Sequence, residues 1–194
     1  LDYDRAQYAA LRADIGDRPV WLAASTHEAE EDVFHALHAD LREQAYLIWM
    51  PRHPARGPVI ANRLGTTPRS GGGKPRGRAY VMDTVGEMGL ALALADVCVL
   101  GGSFHPSLMG HNPLEAARAR VPVITGPYHA SFVDLFRKMN DFDAVLVSDP
   151  RNTATLIRDG LNGRLDERAA NAQGFAAQSS GTLDRTIHAL EQML

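Results

Sequence analysis

A chain of 194 residues, 45% hydrophobic and with a formal net charge of −3, is long enough to bury the core of one domain and is not charged like a general nucleic-acid binder. No apolar run approaches the roughly 20 residues that span a bilayer, since the longest, around Leu90 to Leu100, is cut by Asp96, and no secretory signal opens the sequence. The single cysteine, Cys98, cannot form an internal disulfide and reads as a small core residue.

Leu1 to Asp17 is charged and periodic enough for a short helix, which Asp17-Arg18-Pro19 ends before the apolar strand Val20 to Ala24. A chain that opens inside a helix without an initiator Met is expected to be an excised domain, with residues 1–17 an interdomain linker and 18–194 one folded unit. The alternation continues with a helix from about Glu28 to Glu43, a strand Ala45 to Met50 and a helix from Ala55 to Leu64. Pro51 to Arg78 holds seven Lys or Arg and no Asp or Glu, a segment on which an anionic partner could dock. Its centre, Ser70-Gly71-Gly72-Gly73-Lys74-Pro75, reads as a mobile, solvated loop. Strands follow at Ala79 to Met82, Val97 to Leu100, Val123 to Thr125 and Ala144 to Val147, with helices at Gly86 to Leu94, Asn112 to Ala119 and Ser131 to Met139. The remainder is helical and ends in Thr182 to Leu194, whose stripe of Leu183, Ile187, Leu190 and Leu194 is expected to pack in part on a half of the protein that lies outside this chain. Strands alternating with helices, and no hairpin signal, predict an α/β domain with a Rossmann-like parallel sheet of six strands covered on both faces.

Polar residues concentrate just after four of these strands: Ser25-Thr26-His27-Glu28, Pro51-Arg52-His53-Pro54, Asp83-Thr84-Val85-Gly86-Glu87 and Gly110-His111-Asn112-Pro113-Leu114-Glu115. In a parallel sheet these loops share one edge, where ligands of such sheets bind. Asn112 suits an N-cap and Pro113 the first helical position, so free amides and the helix dipole would point at a ligand lying before Asn112. Glu115, about one turn in, can accept from hydroxyls, and Arg52, stiffened between two prolines, offers a fork of donors for a phosphate. Together they read as a site for a phosphorylated, polyhydroxylated ligand. Ser25 and Thr26 can cap the helix that follows, with Glu28 completing a local network, and read equally as a cap alone or as a cap whose neighbouring amides also take a phosphate or carboxylate. His27 and His53 read equally as anion donors or as structural hydrogen bonders. His35 and His38, three apart on a helix, read as a solvated face rather than a metal site, and no cofactor signature is present.

The ordered set Ala24-Ser25-Thr26-His27-Glu28, Pro51-Arg52-His53-Pro54, Asp83 to Met88, Gly101-Gly102-Ser103 and His111 to Glu115 resembles the carboxyl-terminal half of the 3-deoxy-D-manno-octulosonic acid (Kdo) transferases. No single motif is diagnostic, but their order and spacing fit over about residues 18 to 150. The resemblance implies a GT-B glycosyltransferase, two Rossmann-like domains facing across a cleft, that uses CMP-Kdo and adds Kdo to a lipid A precursor at the cytoplasmic face of the bacterial inner membrane. It also implies that Pro51, Arg52, Val85, Gly86, Glu87, Asn112, Pro113, Leu114 and Glu115 contact the CMP part of the donor. Ser25, Thr26, His27, Glu28, His53, Ser103 and His111 are further candidate contacts, and the general base is expected in an amino-terminal domain outside this chain. The chain should then bind donor without catalysing transfer by itself. It departs from the family pattern at Val85, where Met is usual, at Met109-Gly110, where a Gly pair is usual, and at Ser131, where Asn is usual; the span between Ser103 and His111 also differs by one residue. Two other readings remain open from the residues themselves: another GT-B sugar-nucleotide transferase or epimerase, and a non-enzymatic anion-binding module.

Overall fold

Strands with apolar side chains at every position need cover on both faces, and the fold supplies it. The computed structural model describes residues 2–191, with side chains to residue 178. Strands β1 (Val20–Thr26), β2 (Tyr46–Pro51), β3 (Ala79–Val81), β4 (Val97–Leu100), β5 (Val123–Thr125) and β6 (Leu146–Val147) form one sheet in the order β3-β2-β1-β4-β5-β6, every pair parallel. The strand alternation sorts the core into two layers. Leu22, Ala24, Ile48, Tyr80, Cys98 and Leu100 face one side, against helices α1 (Arg5–Ile15), α4 (Met88–Leu94), α5 (Leu114–Arg118), α6 (Val133–Asp141) and α8 (Asp166–Glu191). Trp21, Ala23, Trp49, Val97, Val99 and Ile124 face the other, against α2 (Glu31–Leu41), α3 (Gly57–Arg63) and α7 (Pro150–Leu161).

The sequence-based elements match this architecture, with shifts at their ends that have local causes. The first turn of the helix expected from Glu28 is a 3-10 turn, Glu28–Glu30, before α2, and a second such turn, Pro54–Arg56, precedes α3. Asn112 Oδ1 accepts from the Leu114 amide at 3.0 Å, but the N-cap is Pro113 rather than Asn112, because α5 begins one residue later than expected, at Leu114, and spans only five residues. So short a helix contributes little dipole. The strand expected over Ala144 to Val147 pairs only at Leu146–Val147. Residues of Thr182 to Leu194 up to Glu191 continue α8, whereas the expected stripe of Leu183, Ile187, Leu190 and Leu194 lies outside the described side chains.

The Gly-rich segment differs more. Ser70, Gly71, Gly72 and Lys74 are exposed as expected, but the segment is ordered: Arg69–Gly71 forms a 3-10 turn, the Gly73 amide donates to Pro68 O at 3.0 Å, and the Ser70 amide donates to Asp83 Oδ1 at 2.8 Å. Nor is the basic segment open along its length. Arg56 pairs with Glu28 and Glu31, Arg63 with Asp32, Arg69 with Glu87 and Arg78 with Glu43. His35 and His38 are half-buried rather than on a solvated face, the His35 ring packing at a tilt against Trp49 with centroids 4.7 Å apart, and burial lowers the pKa of both.

The strand order reverses direction between β1 and β4, which are adjacent, and there the two strand ends nearly touch. A Cβ on Gly101 would lie 2.7 Å from both the Thr26 Cα and a Glu30 carboxylate oxygen, so only glycine fits. Glu30, fully buried, closes the gap. Its carboxylate accepts from three successive amides after β4, those of Gly102, Ser103 (3.2 Å) and Phe104 (3.0 Å), and from the His27 amide after β1 (2.9 Å). Removing it strands three buried donors and one part-buried donor. Glu30→Ala is therefore expected to cost about 3–5 kcal/mol in chemical denaturation, with Glu30→Gln less costly because its amide keeps one acceptor. A loss below about 1 kcal/mol for the alanine variant would show that water replaces the carboxylate at little cost.

Candidate functional site

At the carboxyl edge of the sheet, directly over the β1–β4 switch point, lies a cavity of about 360 Å³. Ser25, Arg52, His111, Asn112 and Glu115 supply its polar rim; Met88, Leu92, Cys98, Leu100 and Ala116 supply an apolar floor. A smaller cavity of about 190 Å³ shares Ser25, Arg52 and Met88 with it and is bounded by Pro51, Val85, Gly86 and Glu87. The four polar loops thus meet at one edge, as their positions after parallel strands require. The floor is chemically inert, burial pushing the Cys98 thiol up to about 12.

Ser25 reaches the rim through a backbone irregularity. Its φ is +55°, uncommon for a residue with a side chain, and the β1–β2 register slips between Ala24 and Thr26, so Ser25 bulges out of the strand end. Arg52 follows β2, its amide held by Thr26 O at 2.9 Å. Its guanidinium is exposed, and it makes no ion pair or side-chain hydrogen bond among the described residues. The same holds for the Glu115 carboxylate. An Arg and a Glu that line one cavity without neutralising each other leave a cationic fork and an acceptor pair for a ligand.

His111 is fixed against the switch point. A Cβ on Gly102, whose φ is +73°, would lie 2.5 Å from the imidazole, so the ring rests on bare backbone. Its Nε2 lies 2.9 Å from Nε2 of His27, one ring donating to the other with the rings nearly parallel, and His53 stands edge-on to His27. Burial, with His27 and Arg52 facing it, pulls the His111 imidazole down to about 4, and burial lowers His27 as well. The pair is therefore neutral near pH 7 and adds hydrogen-bonding capacity rather than charge to the rim.

Other sequence candidates have partners inside the fold. Thr26 is buried with its Oγ1 accepting from the Trp49 indole at 2.7 Å, and Glu28 pairs with Arg56, so neither caps α2; the His27 amide is capped by Glu30 instead. Ser103 is buried, its hydroxyl donating to Leu100 O and accepting from the Gly126 amide, both at 2.8 Å. Pro113 is buried and Leu114 half-buried behind the rim. Glu87 borders the smaller cavity but is bound by Arg69 and Thr84. Sequence reasoning missed Glu30, although its place three residues after His27 is the spacing of a capping box. It also missed the apolar floor from α4.

His111 also links the site to stability. Unfolding returns it from about 4 to its ordinary value near 6.5, so between those values the unfolded chain binds the extra proton and stability falls as pH drops. Thermal melts from pH 7 to pH 4 should show this decline. His111→Gln should flatten it over that window, and an unchanged slope would mean that the ring is not held neutral.

No protein-family model matches the chain. The chain is 32% identical over 195 aligned residues to the 3-deoxy-D-manno-octulosonic acid transferase of Haemophilus influenzae, covering 92% of this chain and 45% of that protein. It is 36% identical over 149 residues to the probable mitochondrial 3-deoxy-D-manno-octulosonic acid transferase of Arabidopsis thaliana, covering 71% and 33%. The chain thus spans less than half the length of these curated relatives. Among solved structures, the C-terminal CMP-Kdo binding domain of WaaA from Acinetobacter baumannii superimposes with a TM-score of 0.77 at 30% identity, covering 87% of this chain and 95% of that one. On this identity and this superposition the chain belongs to the Kdo transferase family, as a counterpart of the family's carboxyl-terminal domain.

Proposed function

We propose that the chain is the donor-binding half of a glycosyltransferase that takes CMP-Kdo and transfers Kdo to a lipid A precursor at the cytoplasmic face of the bacterial inner membrane. The observation that carries the donor reading is the pair of unneutralised side chains, Arg52 and Glu115, on the rim of one cavity over the switch point. In this reading Arg52 binds the phosphate of CMP through its fork of donors, and Glu115 accepts from the ribose hydroxyls. Pro51, Val85, Gly86 and Glu87 frame the nucleotide from the side of the smaller cavity, and Asn112, Pro113 and Leu114 hold Glu115 in place. The relative crystallised as a CMP-Kdo binding domain supports the choice of nucleotide. Acceptor site and general base belong to the amino-terminal domain of the same protein, and the membrane location rests on the family's role.

Transfer breaks the bond between Kdo and a phosphate oxygen, so negative charge develops on the departing CMP. A guanidinium already placed at that phosphate stabilises the charge as it forms. Arg52 therefore serves both to hold the donor and to let CMP leave, while the acceptor hydroxyl attacks from the facing domain.

Isothermal calorimetry on the full-length protein tests the assignment. CMP should bind more tightly than UDP or GDP, and Arg52→Ala should weaken CMP by about 1.5–3 kcal/mol, or about 10- to 150-fold, with folding unchanged. Equal CMP affinity in the variant would make Arg52 a structural residue of a stiff loop. No response to any nucleotide would favour a non-enzymatic anion-binding module.

A further inference from the structure

The turn that carries Val85, Gly86 and Glu87 is a wall one loop thick. On one side it bounds the smaller cavity beside Arg52. On the other, Thr84 and Glu87 line a second cavity of about 710 Å³, between the turn, α1 and the Gly-rich segment. Space on both sides leaves the turn room to fall back, and its tip has no apolar anchor: Val85 is 88% exposed and Gly86 takes φ +85°. What holds the turn is polar. The Arg69 Nε lies 2.8 and 2.7 Å from the two Glu87 carboxylate oxygens, and its terminal nitrogens reach Tyr80 Oη (3.3 Å) and Gln7. Tyr80 Oη donates in turn to Gly73 O at 3.0 Å. Ser70, next in sequence, binds Asp83 at the start of the turn through both its amide and its hydroxyl.

The Arg69–Glu87 pair is well sheltered, at 20% and 18% side-chain exposure, so screening by solvent and salt weakens it less than it would an exposed ion pair. The segment from Arg69 to Gly73 is built as a brace: Gly73 packs so closely on Thr67 and Pro68 that a Cβ there would lie 2.0 Å from Thr67 O. Its backbone is thereby committed to one shape, from which Arg69 and Ser70 reach across to the turn.

We propose that Arg69 is a positioning residue for donor binding, clamping Glu87 so that the Thr84–Glu87 turn keeps the shape it presents to the nucleotide. This rests on the donor reading given above. The Gly-rich segment then has a function that its composition conceals, since it is the rigid mount from which the clamp acts. Arg69 itself lines the cavity behind the turn and reaches the proposed nucleotide site only through Glu87.

Three variants of the full-length protein, Arg69→Ala, Arg69→Lys and Ser70→Ala, test the proposal with two readouts. The first is amide hydrogen exchange without nucleotide. Arg69→Ala should accelerate exchange across residues 84–88 while the interior of α4 stays protected. The second is donor kinetics: Arg69→Ala should raise the KM for CMP-Kdo about tenfold, with kcat within about twofold, because a displaced wall weakens binding more than chemistry. Arg69→Lys keeps one charged contact to Glu87 and should recover part of the loss; Ser70→Ala should act in the same direction more weakly. Equal loss of kcat and thermal stability in all three, or unchanged exchange and KM in Arg69→Ala, would overturn the proposal. Should Arg69→Ala fail to fold, the graded response of the other two decides. Arg52→Ala run alongside separates the two readings: a donor response lost with Arg52 but untouched by Arg69 contradicts the clamp alone, whereas no nucleotide response in the unaltered protein contradicts the donor reading.

Discussion

The buried carboxylate of Glu30 holds together the two strand ends between which the site is built. A parallel sheet whose order reverses between β1 and β4 leaves a crevice at their carboxyl ends, because the chain departs to opposite sides. The amides that follow β4 point into that crevice and would be unpaired there. Glu30 satisfies three of them and reaches back to the amide of His27 after β1. Gly101 and Gly102 are required for the same reason: the first lets the strand ends approach, and the second gives His111 a flat backbone surface on which to rest.

From that junction the rim is set out in layers. His111, resting on Gly102 and hydrogen-bonded to His27, stays uncharged. It leaves Arg52 as the cation of the cavity rim and Glu115 as its carboxylate. A rim with several cations would hold any polyanion, whereas this one carries one fork and one acceptor above an apolar floor. In the proposed function that geometry fits a nucleoside monophosphate ester, with its single phosphate diester and its ribose diol. The Gly-rich segment completes the frame from outside by fixing the turn that closes the smaller cavity.

Much of this was legible in the sequence because parallel β/α topology leaves few choices. Apolar runs of four to six residues such as Tyr46 to Met50, separated by amphipathic stretches, fix both the strands and the edge at which their loops emerge. Arg52 was readable because it closely follows such a run, and His111 and Glu115 because they flank the start of the short helix after β4. Thr26, Glu28 and Ser103 sit in the same loops, yet the structure commits them to Trp49, Arg56 and Gly126. Those partners lie 23 to 28 residues away in the chain, and nothing local marks the pairing. The Gly-rich segment misled for a related reason. Gly and Ser lower the expected order of a loop, but the order here comes from Asp83 and Glu87, which reach the segment only after β3 has been placed.

The most direct test of the account is a crystal structure of the protein with CMP bound. The account requires the phosphate within hydrogen-bond distance of the Arg52 guanidinium, the ribose hydroxyls on the Glu115 carboxylate, and the nucleotide lying over the carboxyl ends of β1 and β4. CMP bound instead at the cavity behind the Thr84–Glu87 turn, or at the opposite edge of the sheet with Arg52 and Glu115 untouched, would contradict it.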